Sequence, residues 1–202
     1  MPGSPRTPER MTSTQVARRR RVLLAVVDLV AAGANEEMSM KDIADRSGVA
    51  LGTIYRYFSS KDHVLAAALV EWARGLDRPA RRRPADVPSA DRLAAVLRRA
   101  LRAFEAEPAF ARLLIYVAGS DDPFASEAFG DLGRVVFSAL DRAADEGIHP
   151  DDRDDVMAII GAVWFQGLTE WTRGRRSIAD VRGSLEAAVR LLVGNSVPAA
   201  AR

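Results

Sequence analysis

Hydrophobic residues recur along most of this chain with the spacing of amphipathic α-helices. The first stripe starts at Val22 and places apolar side chains at intervals of three and four residues, which is one face of a helix. Comparable stripes follow along the chain, and no segment shows the period of two that predicts a strand. The last two stripes consist of Val156, Ile159, Ile160, Val163, Trp164, Gly167, Leu168 and Trp171, and of Ile178, Val181, Leu185, Ala188, Val189 and Leu192. We therefore predict an all-α fold with about nine helices, several of them ending at Gly33, Gly48 or Gly174.

Polar residues indicate where individual helices begin. Ser39 and Asp42 form a capping pair for a short second helix, which Gly48 ends. A very short third helix is predicted over 50–57, and Ser59 or Ser60 caps the fourth. Further breaks are predicted by a proline-containing linker over 78–91, by Pro108, by Gly119–Pro123 and by His149–Asp151, and the last helix is capped by Ser177 and Asp180.

Composition excludes several classes of chemistry. The 202 residues include no cysteine and only two histidines, so disulfides, thiolate zinc sites and cysteine nucleophiles are absent. Neither a G-x-S-x-G elbow nor a phosphate-binding glycine loop occurs. We expect no enzyme activity, no catalytic residues, no metal and no cofactor. No apolar run approaches the ~18 residues of a membrane span, and the N-terminus lacks a signal peptide, so we expect a cytoplasmic protein.

The charge is small overall but unevenly distributed. The net charge is +2, yet residues 1–62 hold ten basic and seven acidic side chains, while 63–202 hold nineteen and twenty. Four arginines are consecutive at Arg18–Arg21. A basic end on a nearly neutral body favours contact with a polyanion, where these arginines would enter a minor groove or touch phosphates. The alternative is a solvated basic tail.

The most informative segment is Ser39–Lys61, SMKDIADRSGVALGTIYRYFSSK, which has the pattern of a helix-turn-helix. Gly48 permits the tight turn, Val49 fills the core beneath it, and Ile54 and Phe58 form the buried face of the third helix. A recognition helix presents its N-terminal residues to base edges in the major groove. We therefore predict contacts with double-stranded DNA from Ser39, Leu51, Gly52, Thr53, Tyr55, Arg56, Tyr57 and Lys61.

Each predicted contact has a chemical reason. Gly52 allows close backbone approach, and Thr53 offers a methyl and a hydroxyl group for a thymine or a phosphate. Tyr55 and Tyr57 carry hydroxyls for phosphates, whereas Ser39 and Lys61 lie at helix N-termini that favour an anion. An ordinary helical hairpin with exposed tyrosines is the structural alternative.

The stretch GVALGTIYRYFSSKDHVL, with MKDIADRS before it, resembles the signature of TetR-type bacterial repressors. The strong likeness covers about residues 18–70. It implies a homodimer with N-terminal DNA-binding domains, a helical ligand-binding body and an interface formed by the last two helices. The C-terminal stretch AVWFQGLTEWTRGRRSIADVRGSLEAAVRLLVG is similar to KstR-type regulators of steroid catabolism, which implies a steroid-derived or acyl-CoA effector. Residues 108–147 match that subgroup much less well.

Together these observations predict four segments and an apolar effector pocket in the body. The segments are a mobile basic arm (1–14), a helix-turn-helix domain (15–62), a ligand-binding and dimerisation domain (63–195) and a flexible tail (196–202). Tyr116, Gln166, Ser120 and Thr169 are candidate orienting groups, and core packing is the alternative for each apolar residue. The predicted ligand-binding residues are Phe104, Phe110, Leu113, Tyr116, Val117, Phe129, Trp164, Phe165, Leu168 and Trp171.

The resulting prediction is a ligand-responsive transcriptional regulator, a repressor released from a palindromic operator by a small apolar effector. Trp72 and Phe104 are candidate contacts for transmitting the signal. One alternative is a helical small-molecule-binding protein or enzyme without specific DNA binding. Another is a sequence-independent nucleoid protein, which the modest local charge disfavours.

Overall fold

The computed structural model describes residues 11–34, 37–76, 87–144 and 148–193. Within these ranges the chain forms α-helices and one short 3₁₀ helix, Pro150–Asp152, with no strand, so the all-α prediction is confirmed. The predicted tail (196–202) and most of the predicted arm (1–14) lie outside the described residues. The helices are α1 Ser13–Ala31, α2 Met40–Ser47, α3 Leu51–Ile54, α4 Lys61–Leu76, α5 Ser89–Ala106, α6 Pro108–Ala118, α7 Pro123–Ala144, α8 Arg153–Thr172 and α9 Ile178–Val193.

Helix starts follow the capping residues in the sequence. Ser60 Oγ accepts the amide of His63 at 3.0 Å, which identifies Ser60 as the cap of α4. Ser177 Oγ accepts the amide of Asp180 at 3.1 Å, and the Asp180 carboxylate accepts the amide of Ser177. The start of α1 was not predicted: Thr12 caps it, so that α1 begins at Ser13, inside the predicted arm.

The linker predicted over 78–91 extends too far toward the C-terminus. α5 begins at Ser89, because Pro88 precedes the first helical residue and its carbonyl accepts the amides of Asp91 and Arg92. Residues 77–86 of that segment lie outside the described residues. The predicted ends at Gly33, Gly48 and Gly174 are confirmed, since each has a positive φ that ordinary side chains rarely adopt.

The chain divides into two compact units. The first comprises Met1–Gly75 with Arg112–Arg134, and the second comprises Leu76–Ala111 with Val135–Arg202. Two boundaries fall inside α6 and α7, so each of these helices belongs partly to one unit and partly to the other, and a third separates Leu76 from the rest of α4.

In the first unit, α1 packs against α2, and α2 against α3. The core includes Val22 and Val26 of α1, Ile43 of α2, and Ile54 and Phe58, all fully buried. At the surface, Arg20 Nε donates to Glu71 Oε1 of α4 at 2.8 Å. Burial of these apolar side chains stabilises the three-helix arrangement, because each contributes roughly 1.5–3 kcal/mol relative to exposure.

In the second unit, α9 packs against both α5 and α8. The inward stripe of α9 carries Val181, Leu185 and Val189, each at most 1% exposed. On α8, a Cβ built at Gly167 would lie 2.6 Å from Val181 Cγ1, so the two helices approach closely at this glycine.

The apolar stripe predicted along α8 does not all face inward. Ile160 and Leu168 are buried, but Ile159 is 45% exposed. Phe165, which is not part of the predicted stripe, is 37% exposed. The stripe spans more of the helix circumference than α9 covers. Among the described residues, no helix is long and apolar enough to cross a membrane.

Candidate functional site

The turn between α2 and α3 has the geometry that the helix-turn-helix pattern predicts. Gly48 adopts the left-handed conformation with φ 62°, and its amide donates to the carbonyl of Ala44. Val49 is 3% exposed, and its amide donates to Ser47 Oγ at 3.3 Å. This turn therefore fixes the direction in which the chain leaves α2 and enters α3.

The start of α2 is capped by its own side chains. Ser39 Oγ accepts the amide of Asp42 and donates to Asp42 Oδ2 at 2.7 Å, while the Ser39 amide donates to the same carboxylate oxygen. The backbone and side-chain hydrogen bonds from Ser39 lower the pKa of Asp42. Both groups that Ser39 would offer to a phosphate are thus already engaged in the cap.

The helix α3 presents a mixed surface above a buried anchor. Ile54 and Phe58 are fully buried, as predicted. On the outer side Gly52 and Arg56 are exposed, and Thr53 is half-buried. Leu51 and Tyr55 are 39% and 49% exposed, the largest apolar surfaces of this segment.

The helix predicted over 50–57 is shorter in the structure. Regular α-helix covers only Leu51–Ile54, because the amides of Arg56 and Tyr57 donate to carbonyls three residues earlier, at Thr53 and Ile54. This tightening turns Tyr57 inward to 3% exposure. Tyr57 therefore belongs mainly to the core, unlike Tyr55.

The four consecutive arginines lie within the regular helix α1 rather than in an extended arm. Arg19 packs its guanidinium 4.9 Å from the centre of the Phe58 ring, and burial lowers its pKa. Arg20 pairs with Glu71. Arg18 and Arg21 are exposed. In this run Arg19 is thus withdrawn from solvent by packing, whereas Arg20 forms an ion pair with its side chain still 67% exposed.

The first turn of α4, which follows α3 along the chain, carries Lys61 and Asp62. The Lys61 ammonium lies 5.7 Å from the centre of the Tyr116 ring. Asp62 accepts hydrogen bonds from the Tyr116 hydroxyl at 2.9 Å and from Ser120 Oγ at 2.6 Å. Tyr116 and Ser120, predicted to orient an effector, therefore contact the DNA-binding segment.

A second contact in the same region involves the buried His63. Its ring stacks on Phe124 with centroids 5.6 Å apart and meets Phe58 edge-on at 5.2 Å. Its Nδ1 accepts the backbone amide of Ser59 at 3.2 Å, which requires an unprotonated nitrogen. Desolvation, together with the charge of Arg19, lowers the pKa of His63 to about 4, so the ring is neutral near pH 7.

Next to His63, Asp122 caps α7. One carboxylate oxygen of Asp122 accepts the amides of Phe124 and Ala125 at 2.8 and 3.1 Å, and the other accepts Ser59 Oγ at 3.0 Å. The pKa of Asp122 is lowered, because the hydrogen bonds from Ser60, Ala125, Ser59 and Phe124 outweigh the desolvation that opposes them.

The predicted effector residues are distributed over both units. Leu113, Tyr116, Val117 and Phe129 belong to the first unit, and the others belong to the second. Phe110, Val117 and Leu168 are at most 1% exposed, as in ordinary core packing. Within the second unit the ring of Phe104 meets Trp164 edge-on at 5.8 Å. Of the two predicted transmission residues, Trp72 is buried in the first unit and Phe104 in the second.

Sequence reasoning missed the polar contacts at the start of α4. Asp62 lies 54 residues before Tyr116 and 58 before Ser120, and Ser59 lies 63 residues before Asp122. No local pattern connects residues at such separations. The available signal was a serine- and aspartate-rich turn at 120–122, which we interpreted as a helix start with Ser120 as a candidate orienting group for an effector.

Two family models match this chain. Residues 23–68 match the family described as bacterial regulatory proteins, tetR family. Residues 87–192 match the Tetracyclin repressor-like, C-terminal domain. The matches cover both the helix-turn-helix segment and most of the helical body.

Individual proteins give the same result. The HTH-type transcriptional repressor KstR of Rhodococcus jostii is 30% identical over 184 residues, which are 91% of this chain and 86% of that protein. The crystal structure of a TetR transcriptional regulator from Rhodococcus sp. RHA1 has a TM-score of 0.78 at 26% identity, covering 92% of this chain and all of that one.

A third similarity concerns the fold alone. The FadR regulator of Bacillus subtilis, crystallised in complex with stearoyl-CoA, has a TM-score of 0.63 at 18% identity. It covers 88% of this chain and 99% of that one. The families and relatives that match are transcriptional regulators and not enzymes.

Proposed function

The chain belongs to the TetR family of bacterial regulatory proteins, and from this premise we propose that it is a homodimeric repressor whose α3 helices read a palindromic operator. An effector that binds the helical body releases it. The observation that carries the DNA-binding part is the surface of α3 and the turn after it: five exposed or half-buried residues over 51–56 lie above a fully buried anchor of Ile54 and Phe58.

The recognition surface divides by chemistry. At the start of α3, Leu51 and Gly52 offer an apolar side chain and open backbone, which suits the methyl group of thymine in the major groove. Thr53 and Arg56 supply polar contacts to bases or phosphates. Tyr55, by its hydroxyl, and Lys61 at the start of α4 contact the sugar–phosphate backbone. Ser39 and Tyr57, also predicted as contacts, are left out of this surface, because Ser39 is engaged in the α2 cap and Tyr57 is buried.

The last two helices supply the dimer interface in this proposal. Ile159 on α8 and Leu191 on α9 are 45% and 64% exposed, and Phe165 adds a third apolar side chain at 37%. Exposed alanines accompany Ile159 on α8 at positions 158 and 162. A two-fold interface must be self-complementary, and a largely apolar helix pair meets its own copy without burying unpaired charge.

For the effector we propose a large apolar molecule of the steroid or acyl-CoA class. The acyl-CoA complex of the Bacillus subtilis regulator supports the second class through fold similarity. The relation to KstR supports the first, as the sequence resemblance implies. Within the second unit, the partly buried aromatic residues Trp164 and Trp171 have ring surface with which such a molecule would pack.

The test is a fluorescence-polarisation titration of the full-length protein against a labelled duplex from the upstream region of its own gene, at physiological salt. If that duplex is not bound, the best sequence selected from a random duplex pool replaces it. We expect binding at least about a hundredfold tighter than to a scrambled duplex. Addition of sterol acids, their CoA thioesters and fatty acyl-CoAs separately is expected to release the duplex in one class only.

Each outcome is informative. Equal affinity for selected and scrambled duplexes would refute specific DNA binding and favour a helical small-molecule-binding protein. Specific binding that no member of the panel releases would retain the repressor and refute the proposed effector classes.

A further inference from the structure

The start of α4 is tied by hydrogen bonds to the end of α6 and the turn that follows it. Asp62 Oδ1 accepts the Tyr116 hydroxyl at 2.9 Å, and Asp62 Oδ2 accepts Ser120 Oγ at 2.6 Å. Both oxygens of one carboxylate are thereby occupied by side chains that lie more than fifty residues further along the chain. We call Asp62, Tyr116 and Ser120 the Asp62 clasp.

Further contacts join the same two segments. Ser59, two residues before α4, donates to the Asp122 carboxylate at 3.0 Å, and His63 stacks on Phe124. Asp122 in turn accepts the first amides of α7. Because all these residues belong to the first unit, the turn over 119–122 is a structural part of the DNA-binding unit.

Tyr116 contacts α4 in two ways. Its hydroxyl holds Asp62, and its ring faces the Lys61 ammonium at 5.7 Å, within the range over which a cation is attracted to an aromatic face. Lys61 is the residue that we propose contacts an operator phosphate. One tyrosine therefore fixes both that lysine and its neighbour in the chain.

We propose that the Asp62 clasp positions Lys61, and with it the first turn of α4, for the operator backbone. Tyr116 and Ser120 are then positioning residues for DNA binding rather than residues that orient an effector. A lysine has several rotatable bonds, and ordering it costs affinity if the ordering occurs only on binding. The clasp orders the segment beforehand. This inference rests on the proposed function.

The experiment compares operator affinity, without any effector, over a range of salt concentrations. The clasp variants are Tyr116→Phe, which removes only the hydroxyl, Ser120→Ala and Tyr116→Leu, which also removes the aromatic face. Lys61→Met removes the proposed phosphate contact. Ser126→Ala deletes a nearby exposed hydroxyl whose hydrogen bond to the Ser120 carbonyl is long, at 3.5 Å, and serves as the matched control.

We expect Tyr116→Phe and Ser120→Ala each to raise the operator Kd about two- to tenfold, while Ser126→Ala leaves it unchanged. Lys61→Met is expected to flatten the dependence of log K on log salt by about one phosphate contact per protomer. Tyr116→Leu should flatten it in the same direction. In the Lys61→Met background Tyr116→Leu should add little, because the lysine it positions is gone.

Two results would overturn the inference. One is unchanged effector-free affinity in Tyr116→Phe and Ser120→Ala with an altered effector response, which would assign both residues to the effector site. The other is an equal loss from Tyr116→Leu with and without Lys61. Melting temperatures identify any variant that is merely unfolded, and Ser120→Ala, a loss of one hydroxyl, then carries the test.

Failure of the proposed function has a different signature. In that case the wild-type protein itself would not distinguish the selected duplex from a scrambled one. Failure of the clasp alone would leave wild-type binding specific and Lys61→Met weakened, with the Tyr116 and Ser120 variants behaving like the wild type.

Discussion

The two units of this protein leave different apolar side chains in contact with water. In the first unit, Leu51 and Tyr55 are exposed on a segment whose Arg56 is exposed as well. In the second, Ile159 and Leu191 are exposed on two long helices that pack against each other. An apolar group among polar ones suits a hydrated and charged partner such as DNA, whereas a broad apolar face suits the surface of a second protein.

The interiors differ as well. The first unit holds the start of α4 through carboxylates, hydroxyls and the stacked rings of His63 and Phe124. The second holds α8 against α9 through apolar packing at a glycine, Gly167. Directional contacts fix the orientation of a short segment, and close packing fixes the distance between long helices. The unit that carries the helix-turn-helix needs the first property, and the unit through which we propose that the protein dimerises needs the second.

The largest effect is expected from placing charge on the exposed face of the second unit. We predict that the double substitution Ile159→Glu and Leu191→Glu gives a monomer, because two carboxylates per protomer would be buried in an apolar interface. A monomer reads one half-site, so operator affinity should fall by about 10²–10⁴-fold. Sedimentation velocity and the polarisation titration measure the two effects.

Leu24→Glu is the control for that experiment. Leu24 on α1 is similarly exposed, at 43%, but belongs to the first unit. Its variant should remain a dimer. If the Ile159 and Leu191 variant also remained a dimer, the interface would have to lie elsewhere.

The next largest effect is on stability as a function of pH in the first unit. The pKa of His63 is about 4 in the folded protein, against an ordinary value of 6.5. Protonation is thus disfavoured by folding, so stability is fully present above pH 6.5 and is lost as the pH falls toward 4. The loss should reach about 2–3 kcal/mol in the free energy of unfolding, measured by urea denaturation.

His63→Gln should remove most of the slope of the unfolding free energy against pH between pH 6.5 and 4. The protein's other histidine, His149, is more exposed and lies at the start of the 3₁₀ helix, so His149→Gln provides the matched control and should leave the slope in place. An undiminished slope in His63→Gln would mean that other groups cause the acid sensitivity.

How much of this could be predicted from the sequence depended on where each residue's partners lie along the chain. The caps at Ser39 and Ser177 and the turn at Gly48 involve residues a few positions apart, and all were predicted. The periodicity of α9 likewise gave its buried residues Val181, Leu185 and Val189. The recognition segment is local in this sense, so its anchor of Ile54 and Phe58 was also correct.

Contacts between distant segments were not predictable in this way. The stripe on α8 includes Ile159 and Ile160, but periodicity does not say which of them α9 covers. The role of Tyr116 depends on Asp62 of α4, and that of Arg19 depends on Phe58, which lies between α3 and α4. An arginine run suggests phosphate contacts, yet packing on an aromatic ring withdraws Arg19 from that use.

A smaller effect is expected at the contact between α8 and α9. Gly167→Ala places a methyl 2.6 Å from Val181 Cγ1, and Val181 is fully buried, so the helices must separate. We predict a net destabilisation of about 1–2 kcal/mol, after the gain in helix propensity of about 1 kcal/mol. Gly130→Ala on α7 is the control, because only the end of the flexible Arg134 side chain lies near its Cβ, at 4.0 Å. In thermal denaturation the melting temperature should fall for Gly167→Ala and rise for Gly130→Ala. A change in the same direction for both variants would refute the close approach of the helices.

The smallest effect concerns the exposed leucine of α3. If Leu51 contacts the methyl group of a thymine, replacing that thymine by uracil removes one methyl and nothing else. Affinity should fall about two- to fourfold at one operator position per half-site. In Leu51→Ala the same replacement should have no effect at that position, because the apolar partner of the methyl has gone.

The measurement is a polarisation competition with duplexes that each carry uracil at a single position. A Leu51→Ala protein that still discriminated thymine from uracil at that position would assign the methyl contact to another side chain, of which Thr53 is the nearest candidate in the sequence.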